Sequence, residues 1–273
     1  MQITNRMNLP AALVDACQPY PPTPGRYGVT ELVGPPMLAK LRRERWDELS
    51  EDVADRLWAI MGTAMHGILA EHGQADELTE ERLTVEVGGV RVSGKPDTYS
   101  ADGTLSDWKF TTVYSFGETK PEWVAQLNVY AHLLRAHGFP VNRLQIVAIY
   151  RDWSKRHEMQ GIPHAAIIDV PLWAADVTDR YLAGRIAAHQ AEDPPVCTAA
   201  ERWDRPTTYA VMKTGRKSAL RVLESRESAE SWKAINGGDS IVERPGESIR
   251  CTGYCPVRAF CGFGSTLTIT LEE

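Results

Sequence analysis

Apolar positions along the chain recur with two periods, one helical and one of strand type, and the switch between them outlines the fold. Helical spacing runs from Met37 to Leu49, a piece that carries Lys40, Arg42, Arg43 and Arg45, and again from Ser50 to His72. Thr30 is a candidate cap for an earlier helix, which Pro35 and Pro36 complicate. Leu83-Thr84-Val85-Glu86-Val87 alternates with period two, Gly88-Gly89 offers a tight turn, and Val90-Arg91-Val92 returns and continues toward Tyr99. Asp102-Gly103 marks a second turn before a strand from Thr104 to Thr111. Pro121 suits the first turn of a helix that Gly138 ends. The run Leu144 to Tyr150 predicts a strand buried on both faces, followed by a strand over 165–170 and a helix over 172–190.

Residues 1–26 are proline-rich and predict an extended N-terminal arm. Pro194-Pro195 marks a break, after which 208–212, a Thr214-Gly215 turn and 219–223 predict a small hairpin. Ser228 is the expected cap of a helix that ends at Gly237-Gly238. The division expected is an arm over 1–26, a core over 27–193 and a hairpin, helix and cysteine segment over 194–273. Helix, meander, helix, strand is the order of an α/β or α+β fold around a mixed central sheet flanked by helices.

A chain of 273 residues, 43% hydrophobic and 24% charged, has the composition of an ordinary globular protein. It contains no apolar stretch long enough to span a bilayer, and its N-terminus lacks the pattern of a secretion signal, so a cytoplasmic protein with no membrane partner is expected. The net charge of −6 argues against coating nucleic acid by bulk charge. It is compatible with local basic patches and with carboxylates that hold cations. Cys197, Cys251, Cys255 and Cys261 lie in the last third of the chain, the last three close together, which in a cytoplasmic protein points to metal before disulfide.

The most informative stretch is Gly94-Lys95-Pro96-Asp97 followed by Asp107-Trp108-Lys109. Asp97 and Asp107 stand almost symmetrically about the Asp102-Gly103 turn, so pairing would bring their Cβ atoms to about 5 Å, close enough to share a hard cation. Asp107 and Lys109 are two apart and share a sheet face, with Trp108 on the other. Two adjacent carboxylates repel unless a cation intervenes. Mg²⁺ or Mn²⁺ there would polarise a phosphodiester, with an ammonium beside it to place a water or offset developing charge. His66 is flanked by Gly62 and Gly67 inside a helix, which suggests close approach of another group. Gln126 and Tyr130 share a helix face.

In order, Gly62…His66, Gly94-Lys95-Pro96-Asp97, Asp107-Trp108-Lys109 and Gln126…Tyr130 resemble the motif series of the PD-(D/E)XK nuclease superfamily, in its RecB-like branch. The resemblance spans about residues 28–150. It implies a restriction-endonuclease-like core, with His66, Asp97, Asp107 and the Trp108 main-chain carbonyl as metal ligands and Lys109 as the catalytic lysine. Gln126 and Tyr130 would contact DNA or shape the site, and Glu86 is a weaker candidate for its rim. Phage exonucleases and CRISPR-adaptation nucleases of this branch act on DNA ends. The implied activity is therefore a DNA exonuclease in recombination or end processing, with DNA as partner and a recombination protein or a second copy as further partners.

The tail Cys251-x₃-Cys255-x₅-Cys261 resembles that of the iron–sulfur members of the branch, one residue longer between its first pair. It implies a 4Fe–4S cluster, with Cys197 favoured over Cys17 as fourth ligand and Zn²⁺ as the rival occupant. Lys213, Arg216, Lys217 and Arg221 form a second basic run, and either run suits a phosphate backbone. Two other readings remain open: a non-catalytic nucleic-acid-binding module, and an iron–sulfur redox protein.

Overall fold

The structure is a computed structural model describing residues 1–268; residues 269–273 of the C-terminal segment lie outside the described residues. Two units divide it, Met1–Pro195 and Val196–Glu273.

The first unit begins with order where a structureless arm was expected. Strand β1 (Gln2–Thr4) is followed by helix α1 (Ala11–Ala16), β2 (Arg26–Gly28), α2 (Val29–Val33) and α3 (Pro36–Glu44). Next come β3 (Ser50–Asp52), which pairs in parallel with β1, and the long helix α4 (Val53–Glu71). Asp52 explains the correction. Its carboxylate caps α4 through the Ala54 N–H (3.1 Å) and also accepts from the Thr4 hydroxyl (2.7 Å) and the Arg6 N–H (3.0 Å). Those hydrogen bonds, the one from Thr4 first, hold its pKa well below the usual carboxylate range.

After α4 come β4 (Leu78–Thr79), β5 (Leu83–Val87) and β6 (Val90–Gly94), with positive φ at Gly88 and Gly89 in the expected tight turn. The return strand does not continue to Tyr99 as expected. It breaks at Lys95-Pro96-Asp97 and resumes as β7 (Thr98–Tyr99) in another sheet. Then follow β8 (Thr104–Thr111), α5 (Pro121–Ala136), β9 (Arg143–Tyr150), α6 (Lys155–Glu158), β10 (Ala165–Val170) and α7 (Ala175–Gln190). A five-stranded sheet has the order β10-β9-β8-β7-β4, and a three-stranded sheet the order β2-β6-β5. β8 and β9 are parallel and joined through α5, while the neighbouring pairs are antiparallel, so the sheet is mixed.

The core lies between these sheets and α5, where Leu105, Leu127, Leu133, Leu134 and Ile146 are fully buried. Each such side chain contributes about 1.5–3 kcal/mol by leaving water. β9 buries one face completely and the other only partly, since its residues alternate between buried and less buried or exposed classes. Gly94, at the end of β6, is held by packing: a Cβ there would sit 2.4 Å from Tyr130 Cε1 and 2.8 Å from Val29 Cγ2. The glycine of one motif thus makes room for the tyrosine of another.

In the second unit, α8 (Ala199–Arg202) and β11 (Asp204–Arg205) precede β12 (Thr208–Met212) and β13 (Arg221–Leu223). Helix α9 (Arg226–Asn236) is capped by Ser225, which accepts from the Ser228 N–H (3.1 Å), so the cap lies three residues before the serine expected. β14 (Ser240–Arg244) adds a third strand, giving the order β13-β12-β14. β15 (Glu247–Ser248), paired with β11, leads into α10 (Ile249–Gly253) and the cysteine tail. Among the described residues no helix is long and apolar enough to cross a membrane.

Gly94→Ala is expected to cost about 1–3 kcal/mol, because two buried side chains must move. Urea unfolding measures it, and a change near zero would show that Tyr130 and Val29 yield freely.

Candidate active site

His66 projects from α4 toward the segment between β6 and β7. Its Nδ1 lies 3.1 Å from Asp97 Oδ1 and 3.3 Å from Glu80 Oε1. One ligand atom from each of His66, Glu80 and Asp97 falls within 4.8 Å of the other two, and this is the one such group among the described residues. Sequence reading missed Glu80 and offered Glu86, which is exposed and paired across the other sheet with Arg91. Glu80 adopts a left-handed backbone conformation (φ 52°), and its N–H bonds to the carbonyls of Pro96 (3.1 Å) and Asp97 (3.2 Å). That strained turn aims its carboxylate at the imidazole and at Lys95 Nζ, 2.5 Å away.

Asp97 also accepts from the Trp108 N–H at 2.7 Å, which locks it against the edge of β8. The ladder register, Thr98 opposite Ser106 and Tyr99 opposite Leu105, places Asp97 across from Asp107 at one end of the β7–β8 pairing. Asp107 is only 1% exposed. Lys109 Nζ is 2.6 Å from its Oδ2, yet that oxygen accepts no hydrogen bond of normal direction. The pair is an ion contact. Gln126 bridges it: its Oε1 accepts from Lys109 (3.0 Å), and its Nε2 donates to Asp107 Oδ1 (3.2 Å) and to the Tyr130 hydroxyl (3.3 Å). Tyr130 is buried, which pushes its pKa up to about 12. It therefore stands behind the site as a support.

Burial first, then the charge of Asp97, pushes the Asp107 carboxyl up to about 6 against the pull of Lys109. The Asp97 hydrogen bond raises His66, with Glu80 and Asp107 adding to it. A cation would favour the deprotonated form of both groups and so oppose both upward shifts. Carboxylate oxygens and one imidazole suit Mn²⁺ or Mg²⁺. A buried Asp107 oxygen without a directed hydrogen bond is a donor left for such an ion. The donor set fits a hard divalent cation.

Two expectations change. A Cβ at Gly62 or Gly67 would meet no atom within 4 Å, so neither glycine admits another part of the protein. The basic run of α3 and its C-cap has partners within the fold: Arg43 binds Glu31 (2.8 Å) and lies over Tyr27, Arg45 pairs with Glu48 (3.0 Å), Lys40 pairs with Glu44 (3.7 Å), and Arg42 lies over Trp46. Lys213, Arg216, Lys217 and Arg221, in the second unit, are exposed.

Within that unit, Cys197, Cys251, Cys255 and Cys261 stand within electrostatic reach of one another, and all are free thiols. Burial first, then Glu201 and the other three cysteines, push the Cys197 thiol up to about 11. Cys17 belongs to the first unit, where it is buried at the end of α1.

Cation affinity is predicted to fall with pH. Binding needs neutral His66 and ionised Asp107, so affinity drops about tenfold per unit once His66 is protonated. Below about pH 6 the drop steepens, to roughly a hundredfold per unit, because Asp107 then also holds a proton. Calorimetric Mn²⁺ titration from pH 5 to 8 reads both limbs; affinity independent of pH would contradict the site.

A family model described as the PD-(D/E)XK nuclease superfamily matches residues 31–262. Among solved structures, one titled SSO0001 is 18% identical, covers 63% of this chain and 80% of its own, and superposes with a TM-score of 0.47. An alkaline exonuclease from Laribacter hongkongensis is 16% identical, covers 62% of this chain and 89% of its own, with a TM-score of 0.40. Comparison with curated proteins finds no match. With its mixed sheet flanked by helices and a family match over residues 31–262, the chain belongs to the PD-(D/E)XK nuclease superfamily.

Proposed function

We propose that the protein is a Mg²⁺- or Mn²⁺-dependent DNA exonuclease whose cation is held by His66, Asp97, Asp107 and the Trp108 carbonyl, with Glu80 as an added ligand. The observation that carries this reading is the meeting of His66, Glu80 and Asp97 beside the buried Asp107–Lys109 pair. A divalent ion bound there supplies Lewis acidity to a phosphodiester and lowers the pKa of a water. The chain supplies the rest. Lys109, seated on Asp107 and aimed by Gln126, orients the attacking water and offsets charge on the phosphoryl oxygens. Tyr130 fixes Gln126 from behind. Action on ends, in recombination or end processing, follows the RecB-like order of the motifs. The competing reading, a binding module without catalysis, leaves unexplained why a carboxylate is buried against a lysine at a site fit for a cation.

The second unit is proposed to hold a 4Fe–4S cluster on Cys197, Cys251, Cys255 and Cys261. Burial and the neighbouring cysteines penalise bare thiolates at Cys197, Cys251 and Cys255, and a cationic cluster core reverses that penalty. Among the described residues, no three cysteine sulfurs lie within 4.8 Å of one another. Zn²⁺ on the same four sulfurs is the rival occupant.

Linear DNA, labelled at its ends, should be degraded in Mn²⁺ by the wild type and not by Asp107→Ala; equal activity in both would remove the enzyme reading. Lys109→Ala should lower kcat by about 10²–10³-fold. Glu80→Ala should raise the Mn²⁺ concentration needed for half-maximal rate by about 10–100-fold. Anaerobic purification should yield iron and acid-labile sulfide in equal amounts, and Cys255→Ala should lower soluble yield. Zinc without sulfide would assign the cysteines to the other metal.

A further inference from the structure

Helix α4 carries more than the imidazole of the site. Of its side chains only that of Val53 is fully buried, and Trp58 is 56% exposed. The indole is nevertheless placed: the Arg151 guanidinium lies over it, 4.2 Å from the ring centroid. Trp58, Gly62 and His66 follow at i, i+4 and i+8 and so form one row along the helix, advancing about 12 Å. Between the two side chains the row is bare backbone, since a Cβ at Gly62 would meet nothing within 4 Å.

The other side of this row is the exit of the catalytic strand. Arg151 follows β9, and its N–H bonds to the Thr111 carbonyl (2.9 Å), two residues beyond Lys109. The Val113 N–H donates to Asp152 Oδ1 (2.8 Å), which ties the next segment to the same place. That segment presents Tyr114, 80% exposed. An indole and its guanidinium therefore stand beside the end of the strand that bears Lys109, and an exposed phenol follows on the next segment. Aromatic faces and arginine planes stack on nucleobases, and they reach only bases that are unpaired.

We propose that Trp58, braced by Arg151 and joined by Tyr114, is a base-stacking site for single-stranded DNA that runs along α4, over Gly62, to His66. The row spans about three stacked nucleotides at 3.4 Å each. The proposal rests on the nuclease reading for what happens at His66, and on the exposed row alone for binding.

Two readouts separate the two ideas. Anisotropy of a fluorescein-labelled oligothymidylate, without metal, reads binding. Hydrolysis of the same strand and of methyl p-nitrophenyl phosphate, which offers no base, reads chemistry. Trp58→Ala should weaken oligothymidylate binding about tenfold, with Trp58→Phe restoring most of it. Its loss in kcat/KM should be about tenfold greater on the strand than on the small diester. Gly62→Leu should weaken binding similarly while raising the melting temperature, because leucine favours a helix over glycine, so unfolding cannot account for that loss. Unchanged oligothymidylate affinity in both Trp58→Ala and Gly62→Leu would overturn the stacking site, as would tighter binding to blunt duplex that neither variant disturbs. A wild type that hydrolyses neither substrate would sink the nuclease reading, while anisotropy would still decide this one.

Discussion

A carboxylate buried to 1% exposure needs a compensating positive charge, and the arrangement around Asp107 follows from that need. Lys109 answers it from two residues along the same strand. Gln126 holds the lysine and the carboxylate together, and Tyr130 holds Gln126. Asp97, anchored by the Trp108 N–H, sets a second negative charge beside the first. Burial and the charge of Asp97 raise the proton affinity of Asp107 against the pull of Lys109. A divalent ion is the better answer to the same electrostatic problem, which is why a site of this kind suits hydrolysis of a phosphodiester.

The fold serves that cluster by joining two sheets at a short break. β6 ends at Gly94 and β7 begins at Thr98 in the neighbouring sheet, so Lys95-Pro96-Asp97 is the crossing. Proline stiffens it, and the Tyr130 ring fills the space a side chain at Gly94 would take. The positive-φ turn at Glu80 bonds to the same crossing. Histidine, glutamate and aspartate thus meet because three chain segments are fastened to one short piece of backbone.

Much of this was legible in the sequence. Alternation over 83–92 and the Gly88-Gly89 turn gave the first hairpin, and the spacing of Asp97 and Asp107 about Asp102-Gly103 gave the opposed carboxylates. Glu80 was not legible, since it lies outside any periodic element and depends on a backbone conformation rare for glutamate. A pair of acids just before an alternating strand was its only signal. The order at the start of residues 1–26 was hidden because it depends on long-range partners, the β3 strand and the Asp52 carboxylate, and proline content does not report those. The charges of 40–45 were visible in the sequence, but only packing shows that Lys40, Arg43 and Arg45 have Glu44, Glu31 and Glu48 beside them.

One divalent ion shared between the imidazole of α4 and the carboxylates flanking the β7–β8 turn is what the proposed chemistry requires. Anomalous diffraction from crystals equilibrated with Mn²⁺ tests it most directly. A peak is expected about 2.0–2.3 Å from a His66 ring nitrogen and from carboxylate oxygens of both Asp97 and Asp107. Saturating Mn²⁺ with no peak among those three side chains, and Lys109 still seated on Asp107, would contradict it.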